Sequence, residues 1–205
     1  MAARNPRHDH ESVTEAALAL LDRVGLADLS MRRLASELDV QPSALYWHFD
    51  SKQALLAAVA DRIVARIPVV HAAAQDVETR VLLTARSIRD ALLSYRDGAE
   101  VVLSTAALRL GAQRAHDAIV DALRGDHDTG TTDEYLSHVA SAVLQFILGH
   151  TTLLQQRMHA DSYGASAESD DLRAHSRMDA SSQQFDVGIT LITAGFRAHS
   201  RRTTA

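Results

Sequence analysis

The chain has 205 residues, 46% of them hydrophobic and only 4% aromatic, and its formal net charge is −5 at pH 7. That length suits one large domain or two small ones, and a chain rich in Ala and Leu with three Pro favours helices over sheets. The chain has no Cys, which excludes disulfides, thiol catalysis and Cys-based zinc sites. No signal peptide or membrane-spanning run is recognisable, so we expect a protein of the prokaryotic cytoplasm with no membrane partner.

The charge also limits how the chain could bind nucleic acid. Up to Arg66, eight Lys and Arg stand against nine Asp and Glu. A protein that coats nucleic acid needs a uniformly positive surface, whereas a site-specific reader needs only a few cations aimed at phosphates. The charge therefore argues against coating and leaves site-specific binding open.

The first predicted helix covers residues 9–24. Asp9 is suited to its N-cap, and Gly25 to its C-terminal cap. The apolar residues follow the i, i+3, i+4, i+7 pattern of a helix with one buried face. They are Val13, Ala16, Ala17, Leu20, Leu21 and Val24.

Two short helices joined by a tight turn are predicted next. Ser30 caps the first, residues 39–41 form the turn, and Pro42 suits the first turn of the second, which runs over about 43–49. Leu45 and Phe49 lie four residues apart and are expected to face inward. Ser43, Ala44, Trp47 and His48 then face solvent or a ligand. Amphipathic aromatic residues on so short a surface indicate a helix-turn-helix whose second helix enters the major groove of DNA.

A fourth helix is predicted to begin within the segment 50–53. Asp50 is the expected N-cap, with Gln53 at the reciprocal position of a capping box. The helix contains Lys52, the only lysine of the chain, at an end where the helix dipole disfavours a cation. A nearby phosphate would explain it, and a solvated lysine is the alternative. Its buried residues are expected to be Leu55, Leu56, Val59, Ile63 and Ile67, and Pro68 marks a joint.

The remainder is predicted to be a second helical region. A loop is expected at 125–130 and a mobile Ser-, Ala- and Asp-rich segment at 161–182. In the last helix Gly188 and Gly195 lie seven apart on one face, where they could let another helix approach closely. The predicted helices cover residues 76–95, 99–110, 112–123, 134–159 and 185–199.

The first 67 or so residues resemble the N-terminal domain of the tetracycline-repressor (TetR) family of transcriptional regulators. The likeness lies in the first-helix stripe, the connector 25–30, the pair Leu34-Ala35, the run 45–49, and Lys52 followed by 54–56. Segments 91–99 and 141–149 resemble the tetracycline repressors themselves. The resemblance implies an all-α fold, with a helix-turn-helix DNA-binding domain at 1–67 and a helical ligand-binding and dimerisation domain at 68–205.

The resemblance also implies roles in binding double-stranded DNA at a near-palindromic operator. Ser30, Arg32 and Lys52 would bind phosphates, and Tyr46 and His48 would also reach the backbone. Ser43, Ala44 and Trp47 would lie against base edges, Ala44 by apolar contact with a thymine methyl. The pair Gln41-Pro42 lies one position earlier than in the tetracycline repressors, so we expect a different operator. Arg4 and Arg7 form either a minor-groove arm or a disordered tail.

The same resemblance implies an effector pocket among the middle helices. The positions at which this chain differs from the tetracycline repressors predict the chemical class of the effector. Val102 stands where the tetracycline repressors have a metal-binding His, and Leu153 stands at or near their Glu, while Thr105 is retained. Val and Leu cannot ligate a hard cation, so we expect no metal, no cofactor and no magnesium–tetracycline complex, but a more apolar organic effector. The candidate lining residues are Ile88, Leu92, Val102, Thr105, Gln145, Gly149 and His150.

In this family the last helix and the long helix before it form a four-helix dimer interface, and simple core packing within one subunit is the alternative. An effector that prefers one spacing of the two DNA readers would shift the population and release the operator, which makes the protein a repressor. Two other functions stay open, a constitutive DNA-binding dimer without an effector and a helical enzyme. No catalytic motif supports an enzyme. The helical His116, His138, His150 and His159 lack metal-binding spacing, so we expect partly buried or surface histidines.

Overall fold

The computed structural model describes residues 8–67, 76–124, 131–162 and 171–203, with side chains described over 8–67, 76–124, 131–160 and 179–200. Within these residues the chain forms nine helices and no strand, as expected for an all-α protein. They are α1 (His10–Val24), α2 (Met31–Glu37), α3 (Pro42–Leu45), α4 (Lys52–Val64), α5 (Val77–Leu93), α6 (Gly98–Ala107), α7 (Gln113–Arg124), α8 (Asp133–Ser162) and α9 (Asp171–Thr203).

Four predicted features of the helix ends are confirmed. The Asp9 side chain accepts a hydrogen bond from the Ser12 backbone N–H, and Ser12 accepts one in return, which makes a capping box at the start of α1. α1 ends at Gly25, whose φ of +82° falls where a side chain is disfavoured. Ser30 caps α2 by accepting from the Arg33 N–H, and Pro42 opens α3. These helix ends define the connections between α1 and α2 and between α2 and α3.

Two details of this region were predicted wrongly. The N-cap of α4 is Ser51 rather than Asp50, because the Ser51 hydroxyl accepts from the N–H of Ala54, three residues on, at 3.1 Å. Gln53 therefore sits too early in α4 to complete a capping box. The α-helical part of α3 is also shorter than predicted. After Leu45 the chain continues as a turn in which the N–H groups of His48 and Phe49 both donate to the Leu45 carbonyl.

The two long C-terminal helices extend beyond their predicted bounds. α8 has 30 residues and α9 has 33, and α9 begins at Asp171. The prediction of a mobile segment was therefore wrong for 171–182, while 163–170 lie outside the described residues. Ser181, though polar, is only 7% exposed, so packing supports this part of α9. Helix elongation from a packed segment adds a hydrogen bond per residue at little entropic cost, which outweighs the modest propensity of Ser and Asp.

A single hydrophobic core runs through both halves of the chain. α4 contributes Leu55, Val59 and Ile63 to it, and α5 contributes Ile88 and Leu92. α4 packs on α1 on one side and on α5, α6 and α7 on the other. α4 is therefore the element through which the first four helices meet the rest. The predicted domain boundary between residues 67 and 68 falls at the end of a described range. Pro68, Arg4, Arg7 and the predicted loop 125–130 lie outside the described residues.

Hydrogen bonds also join the two halves, and three of them run from backbone N–H groups to carboxylates. The Asp61 carboxylate of α4 accepts from the Ala112 N–H at 2.6 Å. Asp97, at the corner between α5 and α6, accepts from the Leu26 N–H at 2.8 Å, and the Arg96 N–H donates to Asp22 of α1 at 3.0 Å. These carboxylates satisfy backbone donors that the helices leave unpaired. They tie the ends of α1 and α4 to α6 and its two connections.

Candidate DNA interface and effector site

An exposed aromatic surface follows α3. Trp47 is 89% exposed and Tyr46 is 50% exposed, while Leu45 and Phe49 on either side are 1% and 2% exposed. The spacing of four places the two apolar residues inside, where the Phe49 ring lies 4.2 Å from that of His10. The residues between them are consequently turned outward. An aromatic pair with this exposure makes the surface a candidate for binding a partner.

The other predicted DNA-binding residues surround this surface at the starts of α2, α3 and α4. Ser43 and His48 are exposed, and Ala44 is half-buried. Arg32, near the start of α2, is exposed, and Lys52 is the first residue of α4. In the part of the chain that the structure describes, neither cation forms a salt bridge, whereas Arg33 lies 4.0 Å from Asp28. Helix N-termini with uncompensated cations favour phosphate.

The predicted effector residues divide into two groups. Ile88 and Leu92 of α5 and Val102 of α6 are fully buried, and Thr105 of α6 is 2% exposed. The Thr105 hydroxyl donates to the carbonyls of its own helix, with Val101 and Val102 oxygens both 3.0 Å away. All four side chains are buried, and Thr105 supplies the one hydroxyl among them.

The residues predicted on α8 lie elsewhere. Gln145 is exposed, and a Cβ built on Gly149 would meet no atom within 4 Å. His150 is half-buried between Phe146 and Phe185, with ring-centroid distances of 5.9 and 5.2 Å. The structure thus brings His150 to the interior, whereas Gln145 faces away from the α5–α6 group. A ligand role for any of the seven stays a prediction.

His150 carries the clearest electrostatic signature of this region. Burial lowers its pKa below the usual histidine value, and the positive charge of Arg89 lowers the pKa further. The ring is therefore neutral near pH 7. Its Nδ1 is buried and has no hydrogen-bond partner. The ring N–H is engaged with the Ser181 backbone, so the unused nitrogen can accept a hydrogen bond from a ligand.

Sequence reasoning missed two buried polar residues of the C-terminal helices. Arg89 of α5 has a side chain only 14% exposed, and its guanidinium lies 4.7 Å from the centroid of the Phe185 ring. Gln155 of α8 is 7% exposed and closes the corner between α5 and α6. Its amide accepts from the Ala99 N–H at 3.0 Å and donates to the Tyr95 carbonyl at 2.8 Å. A polar Gln155 in a helix that is apolar on several faces is a signal that could have revealed its buried position. Nothing around Arg89 in the sequence distinguishes it from other arginines.

The outer faces of α8 and α9 expose large apolar side chains. The exposed fractions are 55% for Leu153, 58% for Val187 and 69% for Leu191. The two glycines of α9 differ, because a Cβ on Gly188 would lie 2.2 Å from Cζ of Phe146, whereas one on Gly195 would meet nothing within 4 Å. Gly188 therefore serves packing within the subunit, and Gly195 lies on an open face.

The described residues contain no group of three or more His, Asp and Glu that could hold a metal ion. No described helix has both the length and the apolar character required to cross a bilayer. Of the helical histidines, His116 has its Nδ1 3.6 Å from Asp117, and His159 has its Nδ1 3.4 Å from Asp97. These carboxylate contacts account for the two rings without a ligand.

Two family models match the amino-acid sequence. Residues 13–59 match the model described as "Bacterial regulatory proteins, tetR family", and residues 72–199 match "Tetracyclin repressor-like, C-terminal domain". The chain therefore belongs to the TetR family, whose members are DNA-binding transcriptional regulators and not enzymes. The first match spans the helix-turn-helix, and the second spans most of α5–α9.

Individual relatives agree with this assignment. The chain is 37% identical over 158 residues to the tetracycline repressor protein class D of Escherichia coli, which covers 75% of this chain and 68% of that protein. The structure is similar to BioQ of Mycobacterium smegmatis, with a TM-score of 0.78, 37% identity and coverage of 94% of this chain and 99% of that one. A structure of BioQ with its double-stranded DNA operator has a TM-score of 0.74, 34% identity, and coverage of 92% and 97%.

A TetR variant of Acinetobacter baumannii AYE in complex with minocycline is similar as well. Its TM-score is 0.71 at 30% identity, over 94% of this chain and 98% of that one. The relatives thus include one structure with operator DNA and one with a small molecule.

Proposed function

We propose that this TetR-family regulator is a homodimeric repressor that binds a near-palindromic operator and leaves it when a small, largely apolar organic effector binds. The observation that carries the proposal is the 89% exposure of Trp47 between two buried neighbours. A side chain of this size is costly to leave in water unless a partner covers it. The BioQ structure with operator DNA supports double-stranded DNA as that partner.

The DNA contacts fall into two classes. Arg32, Lys52 and the hydroxyl of Ser30 contact phosphates and set the position of the protein, with Tyr46 and His48 also on the backbone. Ser43, Ala44 and Trp47 contact base edges in the major groove and supply the sequence preference. The absence of salt bridges to Arg32 and Lys52 among the described residues supports the first assignment, since both charges remain available.

Dimerisation rests on the outer faces of α8 and α9. Val187 and Leu191 lie four residues apart and therefore form one apolar stripe on α9, and Gly195 continues it with an open backbone. A second copy of the chain would cover this stripe and Leu153 of α8. A twofold axis there also presents two helix-turn-helix units to one duplex, which half-sites about 34–36 Å apart require.

The effector is proposed to bind among α5, α6 and α8. The lining is taken to include the buried Ile88, Leu92, Val102 and Thr105, together with His150, while Gln145 and Gly149 stand closer to the dimer face. Binding there would move α6 against α4 and α1 through the bonds of Asp61 and Asp97. An effector that favours one arrangement would thereby change the separation of the two DNA readers. The structure with minocycline supports a small-molecule effector in general.

The sign of control and the compartment are inferred from relatives. The class D relative is named a repressor, and repression relieved by an effector is the simplest use of the proposed coupling. We infer a cytoplasmic protein, because a repressor needs access to chromosomal DNA.

The test is operator selection followed by salt titration. Duplexes are selected from genomic fragments with the full-length protein, and the affinity for the best one is measured from about 50 to 200 mM salt. Lys52→Ala is expected to weaken binding and to reduce the salt slope by about one, because one phosphate contact is lost. The matched control is Arg109→Ala, which removes an exposed cation beyond α6 and should leave the slope unchanged. Selection that enriches no duplex would contradict the proposed function.

A further inference from the structure

Side chains from three helices meet around the ring of Phe185. We call the four residues Arg89, Phe146, His150 and Phe185 the Phe185 cluster. Arg89 comes from α5, Phe146 and His150 come from α8, and Phe185 comes from α9. The Arg89 guanidinium carbon lies 4.7 Å from the Phe185 centroid, and the rings of His150 and Phe146 lie 5.2 and 5.8 Å from it.

Among the described residues, Arg89 has no closely paired carboxylate of its own, although its charge contributes to the lowered pKa of Asp186. Its Nε is buried and makes no hydrogen bond. Asp90 places a carboxylate oxygen 3.5 Å from this nitrogen, but the Asp90 side chain is 68% exposed, and such pairs contribute little. The nearby Asp186 is already held by Arg86, whose Nε and second terminal nitrogen lie 3.0 and 2.5 Å from its two oxygens. Arg89 therefore keeps capacity for another anion.

His150 adds a second polar group with an unused nitrogen next to the Phe185 ring. Its Nδ1 is buried without a partner, and the lowered pKa keeps the ring neutral near pH 7. The single N–H of the neutral imidazole is engaged with the Ser181 backbone, so Nδ1 presents a lone pair, and the charge of Arg89 is what suits a monoanion. A dianionic phosphate would demand more cations than the cluster holds. The apolar rings suit the non-polar body of the same molecule.

We propose that the Phe185 cluster binds the carboxylate of an organic acid. The Arg89 guanidinium pairs with the carboxylate, and the apolar part of the acid packs beside Phe146, which is half-buried, whereas the Phe185 ring is already fully buried. This inference rests on the proposed function, because it assigns the chemical class of the effector. It adds a single negative charge to the largely apolar effector of the proposed function.

The direct test observes Arg89 itself. Its Nε–Hε signal in the nitrogen–proton NMR spectrum of the full-length protein is assigned by its loss in Arg89→Met. Cinnamate and octanoate are titrated as probes, with cinnamamide as the uncharged match of cinnamate. We expect a saturable shift of this signal with at least one acid and binding of cinnamamide at least tenfold weaker than that of cinnamate. No saturable shift with either acid, or equal binding of the amide, would overturn the proposal.

Variants separate a binding role from a packing role. Arg89→Met keeps an apolar side chain of similar length over Phe185, and we expect it to abolish saturable shifts of the His150 ring signals. Arg89→Lys keeps the charge without the planar fork and should retain weakened binding, which keeps the test open if Arg89→Met does not fold. The control is Arg157→Met, because exposed Arg157 also lowers the pKa of His150 and yet lies outside the cluster. Undiminished binding by folded Arg89→Met would overturn the assignment.

Operator binding is measured in parallel without any acid. If the unliganded protein selects no duplex, the proposed regulator fails while an Arg89 response to carboxylate still stands. If the protein binds its operator and the Arg89 signal does not respond, only the carboxylate assignment fails. If the acid binds at Arg89 and leaves operator affinity unchanged at saturation, the acid is not an effector. The assignment of the effector's chemical class is then overturned.

Discussion

Trp47 is a large aromatic side chain that the fold leaves 89% exposed, although Leu45 and Phe49, two residues away on either side, are buried. The spacing of the buried pair was sufficient to predict which residues face outward. Ser51 shows the limit of such reasoning. Asp50 and Ser51 are both good caps, and only the backbone geometry decides which oxygen reaches the N–H of Ala54.

Replacing Trp47 with Ala should separate binding from stability. We expect the free energy of unfolding to change by no more than about 0.5 kcal/mol, because the side chain is exposed. Operator affinity should fall by about 1–3 kcal/mol if a base contact is lost. Leu45→Ala is the opposite case, with a loss of stability of about 2–5 kcal/mol from a buried cavity. Chemical unfolding and operator titration measure the two effects, and a Trp47→Ala protein with full affinity would place the DNA contacts elsewhere.

The ion pair of Arg86 with Asp186 should make stability depend on pH. The hydrogen bond from Arg86 lowers the pKa of Asp186 below its usual 3.8. A lowered carboxylate pKa stabilises the fold above the unfolded-state value, and this contribution is lost as pH falls through the folded-state value. The pair is partly exposed, so Asp186→Asn should cost no more than about 1 kcal/mol at pH 7. Urea unfolding at pH 7 and in steps below about pH 4 should show this difference shrinking, and a constant difference would contradict the assignment.

The helices divide into those with informative sequences and those without. α1 and α4 have clear apolar stripes, and most of the residues predicted to be buried are buried, including Val13 and Val59. The predicted Ala16 and Val24 are only half-buried, and the buried Leu18, Ala60 and Val64 were not predicted. α9 was predicted too short, because the sequence of its first half is polar. The division of the effector candidates between α5–α6 and α8 could not be predicted either, since it depends on how helices far apart in sequence cross.

Gln155 ties α8 to the corner between α5 and α6, and its replacement tests that link. Gln155→Leu leaves the Ala99 N–H and the Tyr95 carbonyl without their side-chain partner. We expect a loss of about 1–3 kcal/mol or more in the free energy of unfolding, because buried polar groups without partners are costly. Gln156→Leu is the matched control on the exposed side of α8 and should not destabilise the fold. Equal effects of the two changes would show that the corner does not depend on Gln155.

The resemblance to the TetR family predicted both the layout of the chain and its membership, and the family models confirm the membership. The outer faces of α8 and α9 remain apolar in the subunit, with Leu191 at 69% exposure. Such a stripe is explained if a second copy covers it, since exposed apolar patches commonly mark interfaces.

Leu191→Asp should therefore disrupt the dimer while leaving the subunit folded. A charge in an apolar interface would be buried without a partner, whereas the same charge on a free surface costs little. We expect monomers in analytical ultracentrifugation, helical content equal to that of the unmodified chain, and a large loss of operator affinity. Thr190→Asp introduces the same charge at the neighbouring exposed position of α9 and measures how wide the interface is. A dimer undisturbed by Leu191→Asp would place the interface on another face.

Hydroxyl-radical footprinting of the selected operator tests most directly whether two symmetry-related Trp47 surfaces read one duplex. Two protected regions are expected on one face of the DNA, with centres about one helical turn or 34–36 Å apart. Both regions should weaken together in Trp47→Ala. One protected region, or two that persist unchanged in Trp47→Ala, would contradict DNA recognition by this surface of a dimer.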